Sequence, residues 1–405
     1  MTFPVPDRRQ SAGRSPGAPA AGNGSLADFT NERNAWIEVD VGALAANVRF
    51  LREAVGSGVE LIGVVKANAY GHGAPGVGAA LEGLGVDRLA VAWVGEGVAL
   101  RQAGVRCPVL VLGHAYPSDA AAAVANDLTL TCHSAAVGTE LSREAWAAGR
   151  TARVHIKVDT GLHRFGVDLE EAVGLAEHLR RFPGLEVEGL STHMANADEE
   201  DDSFSDVQDA LYREALRRLP WITFRHVANS ATALRRPALR YDGVRCGLSL
   251  YGVAPPNTPA QGLRPVLSLR ARVARVTTVP DGEGASYGLT WRAAGARTLA
   301  LVPVGYADGW RRSLSGRFTV LVGGRRYPGV GRVAMDQFLV DVSAAALVRE
   351  GDVVTLIGLD GGDGIGVEEV AGQAGTISWE ILAGLQARLP RVFHREGAVQ
   401  VIFDG

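Results

Sequence analysis

A lysine that follows an apolar segment is the first residue of this sequence whose setting suits chemistry. The segment Val59–Val65 is rich in β-branched residues, which predicts a buried strand, and Lys66 follows it at the start of a glycine-rich turn. A lysine in that position is costly unless it has a partner or a function. When its amine is unprotonated, it can form an imine with a carbonyl cofactor, for which pyridoxal phosphate is the usual choice. Tyr70 could hydrogen-bond the same ligand, whereas an ordinary surface lysine is the alternative interpretation.

Other polar residues follow later apolar runs in the same way: Lys157, Asp159, Arg164, His193, Asn229, Ser230, Arg245 and Gly247. Each alone has an ordinary interpretation, such as a core histidine for His193 or a helix cap for Ser230. Together, they favour one shared site. A hydroxyl at Ser230 and the backbone amides of Gly247 and Leu248 suit a bound phosphate. The guanidinium of Arg164 suits a substrate carboxylate, and the imidazole of His193 offers a flat surface for a cofactor ring.

The scaffold for these residues is a repeated unit of a short apolar run and an amphipathic stretch. Eight such runs occur before residue 265: Val59–Lys66, Leu89–Val94, Val109–Leu112, Leu128–Cys132, Val154–Val158, Leu185–Thr192, Ile222–Ala228 and Tyr241–Gly247. Continuous apolar strands that alternate with helices predict a parallel sheet covered on both faces. Eight of them fit a (β/α)8 barrel, in which chemistry gathers at the carboxyl ends of the strands. A doubly wound open sheet is the alternative.

The rest of the chain divides into a tail and a second domain. Residues 1–34 are rich in Pro, Gly and Ala, which predicts a disordered tail, and no apolar region of an export signal follows Arg8 and Arg9. Residues 35–265 are predicted to form the barrel. Residues 266–405 predict a mainly β domain, with strands such as 266–279 and two helices near 367–373 and 378–389.

Composition excludes several classes of protein. The 405 residues are 47% hydrophobic and 21% charged, with a net charge of −3. These values are typical of a soluble globular protein and provide no basic field for nucleic acid. No apolar run approaches the ~20 residues of a membrane span. The three cysteines match no metal motif, so no metal site is predicted, and they indicate reduced thiols in the cytoplasm.

The ordered motifs of the chain resemble those of the bacterial alanine racemases from about Trp36 to Phe403. The matching segments are Val64–Gly73, Lys157–Gly166, Ser191–Asp198, Asn229–Ala231, Val244–Gly247, Ser286–Gly288, Pro303–Gly309, Gly331–Gln337 and Gly375–Glu380. The resemblance implies a pyridoxal 5'-phosphate enzyme, built from a barrel and a β domain, that interconverts L- and D-alanine to supply D-alanine for peptidoglycan. It also implies a homodimer whose active site is shared between the subunits.

The resemblance assigns the catalytic roles as well. Lys66 is expected to hold the cofactor as an imine and to serve as the base for the D enantiomer. Tyr287 is expected to reach in from the partner subunit as the base for the L enantiomer, because racemisation needs bases on opposite faces of the α-carbon. Arg245 is expected at the pyridine nitrogen, which it keeps unprotonated because an arginine stays charged.

Further contacts follow from the same resemblance. The other expected cofactor-binding residues are Tyr70, His193, Asn229, Ser230, Gly247, Leu248 and Trp379. Arg164 and the backbone amide of Met335, again from the partner subunit, are expected to bind the substrate carboxylate. Lys157 matches a position that is often a carbamylated lysine, which would give Arg164 a negative partner. Tyr306 and Asp336 are expected to line the entrance.

One position departs from the family pattern. The usual Thr-Ile-Asn-Tyr-Glu is Thr-Ile-Ser-Trp-Glu here, so Trp379 replaces a tyrosine that donates to the phosphate and bounds the substrate pocket. We expect a modest change in substrate range, and a broader amino-acid racemase of the same fold is the alternative function. Arg245 argues against a related decarboxylase. The second domain, with Tyr287 and Met335, argues against a non-catalytic carrier of the cofactor.

Overall fold

The computed structural model describes residues 34–259, 261–344 and 348–403, together with Ala20–Ala21 and Leu26. The predicted disordered tail, residues 1–34, therefore lies almost entirely outside the described residues. Within it, the backbone of Ala20–Ala21 pairs antiparallel with the final strand of the chain. The side chain of Leu26 packs against a small cluster that includes Trp36 and Val392.

Eight parallel strands form one sheet in which chain neighbours are also spatial neighbours. They are β1 (Glu60–Val64), β2 (Arg88–Val91), β3 (Val109–Val111), β4 (Leu128–Cys132), β5 (Ala152–Lys157), β6 (Leu185–Ser191), β7 (Phe224–His226) and β8 (Gly243–Cys246). β8 pairs with β1, and backbone hydrogen bonds from Asp242 to Arg225 (3.0 Å) and from Arg245 to Ala228 (2.9 Å) link β7 to β8. The sheet thus closes, and the predicted (β/α)8 barrel is confirmed.

Helices cover the outside of the barrel, and each buries one apolar face against the strands. The helix Val41–Val55 shows why they form where they do. It begins after Asp40, whose carboxylate accepts hydrogen bonds from the amides of Gly42 (2.7 Å) and Ala43 (3.0 Å), and it buries Leu44 and Leu51. The others in this part of the chain are Ala74–Gly83, Val94–Gln102, Ala120–Ala125, Ala135–Ala147, Leu169–Leu179, Phe204–Arg218 and Ser230–Arg235, whereas the segment Lys66–Tyr70 is a turn with left-handed backbone.

The second domain is built on a 12-stranded sheet in which most pairings are antiparallel. Its strands are Ala20–Ala21, Ala35–Asp40, Leu267–Arg272, Arg275–Val279, Arg297–Val302, Thr319–Val322, Arg325–Val330, Phe338–Asp341, Val353–Asp360, Asp363–Ile365, Arg391–Arg395 and Ala398–Phe403. A separate hairpin joins Gly284–Ala285 to Trp291–Arg292. Two helices, Val367–Ala374 and Ser378–Ala383, lie between strands Asp363–Ile365 and Arg391–Arg395. The latter ends at Gly384, earlier than the predicted 378–389.

The predicted boundary of the barrel at residue 35 needs a correction. Strand Ala35–Asp40 belongs to the second sheet, where it pairs antiparallel with Leu267–Arg272 and parallel with Arg391–Arg395. Its position has a simple cause, because the eight barrel strands pair with one another and leave no edge for a ninth. The barrel therefore starts after this strand, and the two ends of the chain meet in the second domain.

No helix in the described ranges is long and apolar enough to cross a lipid bilayer.

Candidate active site

A cavity of about 720 Å³ opens at the carboxyl ends of the barrel strands. It gathers ten of the predicted barrel residues, together with Trp379 from the second domain: Lys66, Tyr70, Lys157, Arg164, His193, Asn229, Ser230, Arg245, Gly247, Leu248 and Trp379. Asp159 does not line it; its carboxylate instead accepts hydrogen bonds from the amides of Gly161 (3.0 Å) and His163 (3.1 Å) and closes a turn. Tyr287 and Met335 do not line it. Their side chains are 71% and 53% exposed, on the surface of the second domain.

The turn that begins at Lys66 has an unusual backbone. Ala67, Asn68, Ala69 and Tyr70 all have positive φ angles, from 51° to 53°. Left-handed conformation costs an L-residue about 1–2 kcal/mol, so four in succession need support from the surrounding structure. This turn directs Lys66 and Tyr70 into the same cavity.

Side chains from three elements support the turn. Glu96 accepts a hydrogen bond from the amide of Ala67 (2.7 Å), and Asn68 accepts one from the amide of Ala74 (2.8 Å). From the second domain, the buried guanidinium of Arg391 donates to the carbonyl of Gly71 through Nε (3.1 Å) and Nη2 (2.9 Å). Arg391 also donates to the carbonyls of Leu385 (3.1 Å), Gln386 (2.6 Å) and Leu389 (2.6 Å), so it joins the lysine turn to the segment that follows Trp379.

The electrostatics of the cavity favour an unprotonated amine on its lysines. Burial lowers the pKa of Lys66, and the nearby positive charge of Arg164 lowers it further. Burial, Arg245 and Arg164 lower the pKa of Lys157 to about 7. A lysine without its proton is a nucleophile and a base, as imine chemistry requires.

One end of the cavity is shaped to receive a phosphate. The hydroxyl of Ser230 accepts a hydrogen bond from the amide of Gly247 at 3.1 Å. A Cβ at Gly247 would lie 2.5 Å from the hydroxyl oxygen of Tyr70, so only glycine fits there. Burial raises the pKa of Tyr70 to about 12, which keeps its hydroxyl a donor. The cap of helix Ser230–Arg235 is Asn229, whose side chain accepts from the amide of Thr232 (3.0 Å), so Ser230 is not needed as the cap.

Arg245, which lines the cavity, has one donor, Nε, that is not used in a hydrogen bond with any described residue. Its Nη1 donates to Nδ1 (2.7 Å) and the carbonyl (2.8 Å) of His226. Its Nη2 donates to the carbonyls of Thr192 (2.9 Å) and Val227 (2.9 Å) and to Nδ1 of His193 (3.1 Å). Within the described residues, its Nε makes no hydrogen bond, and the residue lines the cavity. A ring nitrogen with a lone pair fits this free donor.

Sequence reasoning missed two useful signals. His226, which contacts Arg245, falls within the predicted strand 222–228, yet it was not singled out. The second signal is compositional: Lys66 and Lys157 are the only lysines in the chain, and arginine supplies the rest of its 41 basic residues. Lys66 and Lys157 both line the same cavity.

The second domain presents a different group of predicted site residues on its surface. Tyr287 follows Ser286, whose hydroxyl donates to the carbonyl of Arg332 at 2.7 Å. The amide of Tyr306 donates to the carbonyl of Ala334 at 3.1 Å, next to Met335. Asp336, expected at the entrance, pairs with Arg388 at 2.8 Å. Backbone contacts thus hold three loops together, and Tyr287, Tyr306 and Met335 are all exposed on them.

Comparisons with known proteins agree with this architecture. Residues 39–255 match the family model of the alanine racemase N-terminal domain, and residues 266–393 match that of the C-terminal domain. An alanine racemase from Symbiobacterium thermophilum is 42% identical over 92% of this chain and 100% of its own length. The structure of alanine racemase from Bacillus anthracis with bound L-Ala-P has 40% identity and a TM-score of 0.86, with 92% of this chain and 98% of that chain covered. A histidine racemase from Leuconostoc mesenteroides has 29% identity and a TM-score of 0.82, with 90% and 98% covered.

Proposed function

Because the chain belongs to the alanine racemase family, we propose that it interconverts L- and D-alanine with pyridoxal 5'-phosphate, the cofactor of that family. The observation that carries the proposal is one cavity lined by a lysine whose pKa is lowered by burial, by the hydroxyls of Tyr70 and Ser230 beside the amide of Gly247, and by an arginine with a donor that no described residue uses. The cofactor, when bound, supplies an electron sink that makes the α-hydrogen of an amino acid acidic.

The residues of the barrel would divide the work as follows. Lys66 would hold the cofactor and move a proton on one face of the α-carbon. Tyr70, Ser230 and the amides of Gly247 and Leu248 would hold the phosphate, close to the helix that Asn229 caps. Arg245 would donate to the ring nitrogen through Nε and prevent its protonation, while His193 would lie against the ring. Arg164 would bind the substrate carboxylate with two parallel hydrogen bonds.

A second copy of the chain would complete the site. Racemisation needs a base on the opposite face of the α-carbon, and Tyr287 is the family's residue for that role. In this chain its side chain is 71% exposed and outside the cavity, in loops shared with Met335. A homodimer that places this surface over the partner's cavity would supply both Tyr287 and the backbone amide of Met335.

Lys157 is the candidate for carbamylation. A neutral amine is the form that adds carbon dioxide, which creates an N–C bond and releases one proton. The pKa of about 7 makes that form abundant near neutral pH. The resulting negative group would stand near Arg164, one of the charges that lower the pKa of Lys157. It would offset part of the positive charge of Lys66, Arg164 and Arg245.

A broader amino-acid racemase is the second candidate, and Trp379 favours it. This residue lines the cavity in place of the usual tyrosine. The similar fold of a histidine racemase demonstrates that a related scaffold serves a larger substrate. For the cell, we propose a cytoplasmic enzyme that supplies D-alanine for peptidoglycan. All three cysteines are free, as expected in a reducing compartment.

Two experiments test the proposal. A chiral assay of several amino acids with the purified holoenzyme should show alanine as the best substrate, and no racemisation of any amino acid would contradict it. For the shared site, Lys66→Ala and Tyr287→Phe homodimers should be mixed under conditions that exchange subunits. Each mixed dimer has one site with both bases, so about a quarter of the wild-type activity should return. If the mixture stays as inactive as its parents although subunits exchange, the site is not shared.

A further inference from the structure

A chain of hydrogen-bonded polar side chains runs from the buried Arg245 at the cavity, through the buried His226 and His155, to partly exposed carboxylates and an arginine near the amino ends of the strands. Nδ1 of His226 accepts from Arg245 at 2.7 Å, and Nε2 of His226 lies 2.8 Å from Nδ1 of His155. Nε2 of His155 lies 2.9 Å from a carboxylate oxygen of Glu188. Arg88 then pairs with both Glu188 (2.9 Å) and Glu60 (2.6 Å).

The direction of every hydrogen bond in this chain is fixed by its ends. An arginine can only donate, so Nδ1 of His226 has no hydrogen and Nε2 carries it. That hydrogen points at Nδ1 of His155, which must accept, so His155 carries its hydrogen on Nε2. An ionised carboxylate can only accept, and Glu188 receives that last hydrogen. Both imidazoles are therefore neutral and share one tautomer.

The protonation states agree with this arrangement. Burial and the charge of Arg245 lower the pKa of His226 well below its usual value. Burial also lowers the pKa of His155, although Glu188 opposes that shift. Burial alone would raise the pKa of Glu188, but the hydrogen bond from His155 helps to bring it to about 2. Two neutral histidines thus connect a carboxylate to an arginine.

The packing around the chain is built for it. A Cβ at Gly189 would lie 2.7 Å from the ring of His155, and the pairing of β5 with β6 shifts register between Val154 and His155, next to that ring. Phe224 lies beside both imidazoles, with ring centres 5.6 Å from His155 and 5.4 Å from His226. A Cβ at Gly243 would in turn lie 2.8 Å from Phe224. A merely tolerated polar cluster would not need glycines placed against it.

We propose that Glu188 is a positioning residue for the cofactor site, which acts on Arg245 through His155 and His226. By accepting from His155, Glu188 favours the tautomers that keep Nδ1 of His226 an acceptor, so Nη1 of Arg245 stays engaged and its guanidinium keeps its position at the cavity. Without an acceptor at position 188, the hydrogen on Nε2 of His155 has no partner. Reversing both imidazoles would remove the unpaired hydrogen from Nε2 of His155, but it would place a hydrogen on Nδ1 of His226 against the donor Nη1 of Arg245, so each of the two arrangements leaves one donor unsatisfied.

This inference rests on the proposed function only in assigning Arg245 to the cofactor ring. Its first test needs no substrate: the 15N chemical shifts of the histidine side chains, measured on labelled protein with and without pyridoxal phosphate and assigned by substitution. Wild type should show Nε2–H on both His155 and His226. Glu188→Leu should produce mixed tautomers at both residues. If both His155 and His226 keep the Nε2–H tautomer in Glu188→Leu, the proposal is wrong.

Matched variants separate this role from simple support of the fold. Glu188→Gln keeps an oxygen that can accept from His155, so it should retain the tautomers and most of the activity. Glu60→Gln alters the other partner of Arg88, which does not contact the histidines, and should also leave the tautomers unchanged. If Glu188→Leu does not fold, Gly189→Ala replaces it in the experiment. This variant keeps the carboxylate but displaces the ring of His155, so it should also produce mixed tautomers. Mixed tautomers in Glu60→Gln would overturn the proposal.

A second readout reports on the cofactor. Glu188→Leu should shift the visible absorption band of the bound cofactor and lower kcat for alanine about tenfold, with a smaller change in KM, as is typical when a supporting residue is lost. An unshifted band with wild-type kcat would contradict the proposal even if the variant melts earlier. If wild type racemises no amino acid, the proposed function fails, yet the tautomers still decide this inference.

Discussion

The two proposed bases occupy opposite surroundings in the same chain. Lys66 is part of a cavity, on a strained turn that Glu96, Asn68 and Arg391 hold in place. Tyr287 is 71% exposed on a surface loop. The barrel half of the site is thus preorganised by the fold itself, whereas the other half would, in the proposed dimer, come from a second copy of the chain. Substitutions on the two sides should therefore fail in different ways.

The largest effect is expected at Lys66. Lys66→Ala should lower racemisation by at least about a thousandfold, because the cofactor's attachment and one base are lost together. Borohydride reduction of the wild-type holoenzyme followed by peptide mapping should place the cofactor on Lys66. The map has few ambiguities, since Lys157 is the only other lysine. A label on Lys157 with none on Lys66 would reverse the assignment.

Tyr287→Phe should be the next most severe change, with a different signature. Loss of one positioned base costs about 10²–10⁴-fold in rate, but cofactor binding should be unchanged because the residues proposed to hold the cofactor all line the barrel cavity and do not include Tyr287. Exchange of the α-hydrogen in deuterated water, followed from each enantiomer, measures the loss. Tyr116→Phe, another tyrosine with 60% exposure, is the control. Wild-type rates of both exchange and racemisation in Tyr287→Phe would exclude the two-base scheme.

The same contrast explains what the sequence could and could not predict. The eight barrel strands have continuous apolar runs, and the residues that follow them line the cavity, because parallel strands bring their carboxyl ends to one edge. Strand Ala35–Asp40 also has a strand pattern, although Glu38 and Asp40 interrupt its apolar residues, and it pairs in the second sheet. Only the closure of the barrel, a long-range property, excludes it.

Other features were missed for local reasons. Val353–Asp360 and Arg391–Arg395 are sheet strands that were not predicted. Charges at both ends shorten the apolar pattern of Arg391–Arg395, whereas Val353–Asp360 begins with a run of β-branched and apolar residues that does predict a strand. The left-handed turn after Lys66 contains two alanines and an asparagine. Alanine rarely has a positive φ angle, so the residue types do not predict this turn. His155 and Glu188 look like ordinary strand residues until the barrel places them next to one another.

Substitutions at Lys157 test how the positive charge of the barrel cavity is balanced, and the expected effect on kcat/KM is moderate. If the residue is carbamylated, Lys157→Met should lower kcat/KM about tenfold, and Lys157→Glu should lower it less because a negative group is restored near Arg164. With 13C-labelled bicarbonate, a carbamate carbon signal should appear in wild type and vanish in both variants. Since the free amine has a pKa of about 7, the signal should weaken as the pH falls below that value and protonation blocks the addition. Equal activity of Met and Glu variants would contradict the charge argument.

The smallest effect is expected at Trp379, which crosses the divide between the two halves. It comes from the second domain, yet it lines the barrel cavity of its own chain, beside the segment that Arg391 fixes to the lysine turn. Trp379→Tyr should therefore reshape the pocket without removing a base. We expect the ratio of kcat/KM for alanine to that for serine to change about two- to fivefold, within the range that one pocket contact provides.

Trp221→Tyr is the matched control and should leave the ratio unchanged. The indole of Trp221 donates to Glu177 at 2.9 Å and lies away from the cavity. Identical ratios in wild type and Trp379→Tyr would sink the idea that this residue sets the substrate range. The breadth of the enzyme would then have to come from the half of the site that the partner supplies, around Tyr287 and Met335.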